Sequence, residues 1–546
     1  MLRAIRLALV IAALGATSAA GTAPATPQAS SIELGRSIYR DGVLPSGAPL
    51  EAARESEPVM QGAQAACVNC HRRSGFGAQQ GRGFIPPIAG AYLFRPRAGT
   101  ASNRDLPYLE SMRGDRDPYT IATLARAIRE GVAADGHQLS YLMPHYALDD
   151  VAMAALTDYL NSLPTQPAPG VTDKILHFAT IITPDADPVK RQGMLDVLEN
   201  YFADKNVAAR SVTPPLHSTR PMMFRVLRQW QLHVWELTGP PASWEEQLRR
   251  KLAAEPVFAV ISGLGGATWA PVHRFCEQQS IPCLFPNVEL PVESERDFYP
   301  LYFSRGVLLE AQLIADRLSV QGAGAPRRRV IQVFRAGDVG EAAARALSAA
   351  VEPAQLVTVN RRLKPGGSAR ELAEAFEDLR ADDILVLWLR ARDISALAPS
   401  PPAASSVYLS GLMGGLESTP VPVAWRPGAL MAYGFDLPDR RVVRVDHPLG
   451  WFRIRHIPVV SLQLQADTYL ACGLLAENLK HMVDAFVRDY LVERIEDMLE
   501  HRVITGYYPR LTLAPGQRFA SKGGYLVRFA EPSGTRIVAD GDWIVP

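Results

Sequence analysis

The stretch Cys67-Val68-Asn69-Cys70-His71 constrains this chain more than any other part of its sequence. Two thiols at this spacing, followed directly by a histidine, form the attachment signature of c-type haem. Zinc half-sites and redox dithiols also use Cys-x-x-Cys. The next cysteine, however, lies far away at Cys276, and no strand pattern precedes Cys67. The sequence therefore predicts one covalent haem c, attached through Cys67 and Cys70, with His71 on the iron.

Residues 1–20 have the pattern of a signal peptide, which suits a haem that is attached after export. Arg3 and Arg6 precede a short apolar core, and small residues follow it. The core is too short to span a bilayer, although an uncleaved anchor is the alternative. A later apolar stretch, Val459–Leu475, carries Gln463, Gln465 and Asp467 and therefore predicts a buried helix. We expect a periplasmic protein of a Gram-negative-type bacterium, with no membrane span after cleavage.

The length of 546 residues requires several domains, and the net charge of +1 gives no drive toward nucleic acid. Cys276 and Cys283 are close in sequence in a chain predicted to be exported, so they are candidates for a disulfide. Two buried thiols are the alternative. The Pro- and Gly-containing segment 164–170 predicts a linker between a haem domain, 31–163, and a second domain, 171–546.

The haem segment resembles the class I c-type cytochromes, which are all-α domains. The resemblance rests on the Cys67–His71 box and on Met143-Pro144, which precedes a predicted final helix ending near Leu163. It implies that Met143 is the second axial ligand of the haem iron, where a thioether raises the potential. His137 and His145 are rival ligands, and a core methionine is a further alternative.

Residues 171–546 alternate between strand and helix patterns, which predicts parallel sheets covered by helices. About 375 residues are too many for one such sheet, so two lobes are expected. This segment resembles the type I periplasmic solute-binding proteins of the branched-chain amino-acid class. Its matching pieces are the Gly-rich loop Ile261–Thr268, the segment Ile281–Asn287 and the segment Tyr302–Arg305. By that resemblance, the ligand contacts are Ser262, Gly265, Thr268, Asn287, Arg305 and Asp338.

The Gly-rich loop has a physical interpretation of its own. Backbone N–H groups where a loop opens a helix can hold a carboxylate or another anion. A plain strand-to-helix turn is the alternative. Arg305 is a candidate partner for a ligand carboxylate or for a salt bridge, and Asp338 is a candidate partner for a ligand ammonium.

The chain lacks G-x-S-x-G, H-E-x-x-H and P-loop motifs, so an electron carrier or binding protein is expected rather than an enzyme. The leading prediction is a periplasmic monohaem cytochrome that transfers single electrons. Its fused module would bind a solute or dock a redox partner, such as a quinoprotein dehydrogenase or a terminal acceptor. The alternative is a solute receptor for an ABC importer or sensor, with the haem as redox reporter. A peroxidase is the third hypothesis.

Overall fold

The computed structural model describes residues 30–55, 57–80, 83–94, 117–211, 228–294, 296–322, 328–354, 356–482, 485–499, 505–514, 516–531 and 534–546. The predicted signal peptide, 1–20, lies outside these residues. The strands are β1 Glu51–Ala53, β2 Met60–Gln61, β3 Ala78–Gln80, β4 Gly83–Ile85, β5 His145–Tyr146, β6 Ile175–Ile182, β7 Gln229–Glu236, β8 Ala259–Ile261, β9 Cys283–Leu284, β10 Pro300–Leu301, β11 Arg329–Arg335, β12 Val357–Leu363, β13 Ile384–Trp388, β14 Ser406–Ser410, β15 Ala429–Tyr433, β16 Tyr525–Phe529 and β17 Ile537–Ala539.

The α-helices of the described residues are Ser31–Asp41, Val68–His71, Gly90–Leu93, Ile121–Glu130, Asp150–Ser162, Pro188–Ser211, Trp244–Ala254, Ala270–Gln278, Val307–Gly322, Val339–Val351, Ala369–Glu374, Ala391–Ile394, Gly411–Gly414, Pro438–Ile454, Leu462–Met482 and Arg488–Leu499. None of them is long and apolar enough to cross a membrane.

The chain forms two compact units, and the first comprises Met1–Cys70 and Tyr119–Leu163. Its helices Ser31–Asp41 and Asp150–Ser162 pack closely, and Gly35 permits this because it has no side chain. A Cβ at that position would lie only 2.0 Å from the Ala155 carbonyl oxygen. Asp149 caps the second helix by accepting a hydrogen bond from the Ala152 N–H at 2.7 Å. The unit also contains a small antiparallel sheet in the order β2-β1-β5, which the all-α expectation did not include.

The second unit comprises His71–Pro118 and Pro164–Pro546, and we call it the α/β unit. The predicted haem domain, 31–163, therefore does not coincide with a compact unit. The physical reason is packing of the segment after the Cys-x-x-Cys-His box. Ser74 is fully buried, and the Phe76 ring meets the Tyr490 ring edge-to-face at 4.9 Å. These contacts hold the segment against the helix Arg488–Leu499.

The first lobe of the α/β unit is built on a parallel sheet in the order β10-β9-β8-β6-β7. Strands β6 and β7 pair over their full length, from Ile175 opposite Gln229 to Ile182 opposite Glu236. Strand β8 is wholly apolar and buried, as a strand covered on both faces must be.

The second lobe is built on a sheet in the order β12-β11-β13-β14-β15-β16-β17. The pairs from β12 to β15 are parallel, whereas β16 and β17 join antiparallel. The chain passes from the first sheet to the second between β10 and β11, leaves the second sheet after β15 and returns to it at β16. The prediction of two α/β lobes is therefore confirmed.

Cys276 and Cys283 are free thiols, although the sequence made them candidates for a disulfide. Both are fully buried, in the helix Ala270–Gln278 and in β9. Burial, and then a hydrogen bond with Cys283, raises the pKa of the Cys276 thiol. The structure thus contains the alternative arrangement, two buried thiols in the core of the first lobe.

Candidate functional site

A cleft of about 1040 Å³ lies between the two lobes of the α/β unit. Residues of the first lobe, of the second lobe and of the connecting segments all line it. Polar, charged and aromatic side chains along its wall include Asp185, Asp187, Lys190, Asn287, Glu289, Phe303, Ser304, Glu310, Arg335, Asp338, Arg390, Arg392, Glu417, Phe435, Ser461, Gln463, Asp467, Tyr507 and Tyr508. The cleft is therefore large enough for a small organic solute.

The Gly-rich loop lies at the cleft, but its N–H groups already have partners within the chain. The Ala267 N–H donates to Asp185 Oδ2 at 2.7 Å, and the Gly266 N–H donates to Thr183 Oγ1 at 3.0 Å. Thr183 in turn donates to Asp185 Oδ1 at 2.6 Å. A Cβ on Gly266 would lie 2.2 Å from that carboxylate, so a glycine is needed there. The carboxylate of Asp185 occupies the anion position that the sequence assigned to a ligand.

Gly265 and Asn287 line the cleft, as the resemblance implied, whereas Ser262 lies beneath the surface. Asn287 Nδ2 donates to Ser262 Oγ at 2.9 Å and to Thr468 Oγ1 at 3.2 Å. Ser262 and Thr468 therefore orient the Asn287 amide. Thr268 is not part of the cleft lining. Its Oγ1 instead accepts a hydrogen bond from the Ala270 N–H at 3.3 Å, near the start of the next helix.

Arg305 is also outside the lining and forms a partly exposed ion pair with Glu293. Asp338 does line the cleft, but it is fully engaged. Arg390 donates to its carboxylate through Nε at 2.9 Å and through Nη2 at 2.6 Å. Arg390 keeps the pKa of Asp338 low although burial opposes this. Asp338, the predicted partner of a ligand ammonium, is therefore already paired with Arg390.

Arg390 joins carboxylates of both lobes. Its Nη1 lies 2.5 Å from Glu289 Oε2, while Lys190 Nζ lies 3.7 Å from Glu289 Oε1. Arg335, the neighbouring cation, is held by Asp393 at 2.9 and 2.8 Å. These guanidinium groups are therefore neutralised by carboxylates of the chain itself.

Two buried carboxyl groups of the cleft were not predicted as site residues. Glu310 is 1% exposed and accepts from the Leu412 N–H at 2.8 Å and from the Ser410 hydroxyl. Burial raises the pKa of Glu310 to about 8.

Asp467 is 3% exposed, and burial raises its pKa to about 7. Its Oδ2 accepts from Tyr508 Oη at 2.9 Å and from Gln463 Nε2 at 2.5 Å. The signal for Asp467 was present, since a carboxylate in the apolar stretch Val459–Leu475 is unusual.

The Cys-x-x-Cys-His residues meet in and beside the short helix Val68–His71. Cys67 and Cys70 are half-buried free thiols. Burial raises the pKa of Cys67 to about 12. His71 is buried, and its Nδ1 lies 3.1 Å from the Pro86 carbonyl oxygen. A histidine that donates from Nδ1 to a carbonyl presents Nε2 to a metal, so these residues fit haem attachment.

Met143, the predicted second axial ligand, is a half-buried residue of the first unit. Its N–H donates to the Ser140 carbonyl oxygen at 2.9 Å in the turn before Pro144. Among the residues with described positions, no group of three or more His, Cys, Asp and Glu side chains is arranged to hold a metal ion.

No protein-family model and no curated protein matches this chain. Solved structures do match. A branched-chain amino acid ABC transporter from Thermus thermophilus with bound valine has a TM-score of 0.53 at 10% identity, covering 69% of this chain and 98% of that chain. A substrate-binding periplasmic protein from Ralstonia solanacearum has a TM-score of 0.50 at 12% identity, covering 67% and 100%. The α/β unit has the type I periplasmic-binding-protein fold.

A fatty acid ABC transporter substrate-binding protein from Thermomonospora curvata also matches, with a TM-score of 0.49 at 15% identity, covering 70% of this chain and 95% of that chain. Periplasmic binding proteins close their two lobes around a ligand by a hinge motion. The cleft of this chain lies between the two lobes.

Proposed function

We propose that this chain is an exported solute receptor of the kind that serves an ABC importer or a sensor, with a haem c attached through Cys67 and Cys70. The observation that carries the receptor role is the cleft of about 1040 Å³ lined from both lobes. The sequence placed electron transfer first and the receptor second. The fold supports the receptor better, because electron transfer does not require a cleft of this size.

Solute binding is tested by a thermal-shift screen of the full chain against amino acids, amides, amines, alcohols and aldehydes. A solute at 100 times its dissociation constant stabilises the native state by about 2.7 kcal/mol. We expect at least one chemical class to raise the unfolding temperature. If no compound shifts it, the receptor role is wrong.

A matched pair of variants shows whether a stabilising solute occupies the cleft. Ala267 is exposed at the cleft wall, whereas Ala253 is exposed on the helix Trp244–Ala254 away from it. Ala267→Trp places a bulky side chain at the cleft wall and should reduce the shift, while Ala253→Trp should retain it. Equal loss in both variants would contradict binding in the cleft.

Single-electron transfer is the second candidate function, and the Cys67–His71 box supports it. Cys67 and Cys70 would carry the haem, His71 would bind its iron through Nε2, and Met143 would be the second axial ligand. A haem held by these residues would supply one-electron chemistry. The Pro86 carbonyl would fix the orientation of the His71 ring.

The redox role implies a partner such as a quinoprotein dehydrogenase or a terminal acceptor. Stopped-flow mixing of the haem-loaded chain with a reduced dehydrogenase measures electron transfer directly. Haem reduction would support this partner, and no reduction would favour a haem that only reports redox state.

A further inference from the structure

The first observation concerns a polar atom of the cleft that has no partner. Asp467 Oδ1 is buried and accepts no hydrogen bond within the described residues, whereas Oδ2 accepts two. The side chain is 3% exposed and lines the cleft from the helix Leu462–Met482. Leaving a buried carboxylate oxygen unsatisfied is costly, so such atoms normally have a donor. A ligand in the cleft is the available donor.

The second observation is the aromatic wall beside Asp467. Tyr508 donates its hydroxyl to Asp467 and packs its ring 5.3 Å from Phe303 and 5.4 Å from Phe435, centroid to centroid. All three aromatic residues line the cleft. A carboxylate next to aromatic rings is the combination that binds organic ammonium groups, through a charged hydrogen bond and cation–π attraction.

The third observation is that two N–H groups of the Gly-rich loop and two guanidinium groups of the cleft already have partners within the chain. The N–H groups of the Gly-rich loop are taken by Thr183 and by Asp185. Arg335 and Arg390 are held by Asp393 and Asp338. The carboxylates along the cleft are Asp185, Asp187, Glu289, Glu310, Asp338, Glu417 and Asp467, against the cations Lys190, Arg335, Arg390 and Arg392. A ligand carboxylate would meet a cleft with more carboxylates than cations, in which Arg335 and Arg390 are already paired.

We propose that the cleft binds a small organic amine without a carboxylate, donating its N–H to Asp467 Oδ1 and packing its carbon skeleton against Phe303, Phe435 and Tyr508. This inference rests on the proposed solute-receptor function and narrows it to cationic solutes. The loop that the sequence assigned to a ligand anion instead holds the Asp185 carboxylate.

The test compares compounds that share a carbon skeleton and differ in charge. One set is phenethylamine, phenethyl alcohol, hydrocinnamate and phenylalanine, and the other is isopentylamine, isopentanol, isocaproate and leucine. Isothermal titration calorimetry of the full chain measures each affinity. We expect an amine to bind at least tenfold more tightly than the carboxylate and the amino acid of its set.

The variant Asp467→Asn should weaken amine binding about 10- to 100-fold, the usual effect of losing a hydrogen bond to a charged group. Asp439→Asn is the matched control, since Asp439 is 69% exposed and is not part of the lining. Phe435→Leu removes one ring of the aromatic wall and leaves Asp467 with both of its donors, and it should weaken amine binding severalfold. It therefore keeps the proposal testable if Asp467→Asn fails to fold, and unchanged amine binding in this variant would contradict a role for the wall.

The outcomes separate the two proposals. Tighter binding of a carboxylate or an amino acid would overturn the amine inference and leave the receptor role standing. Amine binding that is unchanged in Asp467→Asn would also overturn it. No binding by any compound would overturn both.

Discussion

Arg72 Nη2 donates to Glu496 Oε2 at 2.7 Å, although 424 residues separate the two in the sequence. Glu496 also accepts from Arg518, and all three side chains are buried. The Arg518 carbonyl accepts from the Tyr302 N–H at 2.9 Å, where the chain passes between the lobes. The residue that follows His71 is therefore fixed to the helix Arg488–Leu499 and, through it, to the connecting segments of the α/β unit.

Removing Arg72 should destabilise the α/β unit strongly. Arg72→Met leaves the buried Glu496 with one cation instead of two, and breaking a buried pair costs about 3–5 kcal/mol. The measurement is the free energy of unfolding by urea, followed by tryptophan fluorescence. Arg250→Met is the control, because the Arg250–Glu246 pair is largely exposed and should contribute less than about 1 kcal/mol. Similar losses in the two variants would contradict a structural role for Arg72.

Glu493 should make stability depend on pH. Burial raises the pKa of Glu493 from 4.5 to about 8, so the carboxyl stays protonated in the native state while it ionises in the unfolded state. Its contribution is full below pH 4.5 and is lost as the pH rises through about 8. The free energy of unfolding of Glu493→Gln, compared with that of wild type, should therefore rise by roughly 1–3 kcal/mol between pH 4.5 and pH 8.5.

Unfolding midpoints of both proteins at the two pH values measure this gain. The exposed Glu377 provides the control, since Glu377→Gln should change stability equally at both. A difference between Glu493→Gln and wild type that stays constant with pH would contradict the prediction.

Substitution of the box cysteines should prevent covalent haem attachment. The double variant Cys67→Ser, Cys70→Ser should show no haem stain on a denaturing gel after expression with a cytochrome c maturation system. Met143→Ala should retain the stain and lower the midpoint potential, because the thioether ligand is lost. Wild-type protein without a stain would make the haem prediction wrong. An unchanged potential in Met143→Ala would exclude Met143 as an axial ligand.

Cys276 and Cys283 should be labelled as free thiols. We expect iodoacetamide to modify both when the protein is unfolded without a reductant, and neither in the native state, because both are fully buried. Peptide mass spectrometry distinguishes the labelled peptides from a cross-linked peptide. A peptide that links Cys276 to Cys283 in the native preparation would show that the two residues form a disulfide instead.

The sequence predicted the elements whose apolar pattern is strong. Strand β6, for example, is the apolar run Ile175–Ile182, and most of its residues are buried. Strand β12 was missed because Val357–Leu363 is a half-exposed edge strand with polar residues in its centre. Strand β15 is buried and apolar but has only five residues, which is too short for a clear pattern. One of its two neighbours in the sheet, β16, is also far away in the sequence.

The cleft was predicted only in part. The resemblance of short local patterns to the binding-protein class named Gly265, Asn287 and Asp338 as ligand contacts, and these three residues line the cleft. The same patterns could not show that Asp185 fills the Gly-rich loop, since 82 residues separate it from Ala267. Asp467 was noticed only as evidence against a membrane span, because its neighbours Tyr508 and Phe303 come from other segments.

The pairing of β16 with β15 has a consequence for how the protein is made. Leu430 pairs with Arg528, so the second lobe lacks an interior strand until the chain is synthesised beyond residue 528. Until then β15 presents an open edge, which in a partly folded chain is a template for aggregation. Such long-range pairing is also slow. We therefore expect the yield of soluble protein to depend on chaperones that shield this edge before β16 arrives.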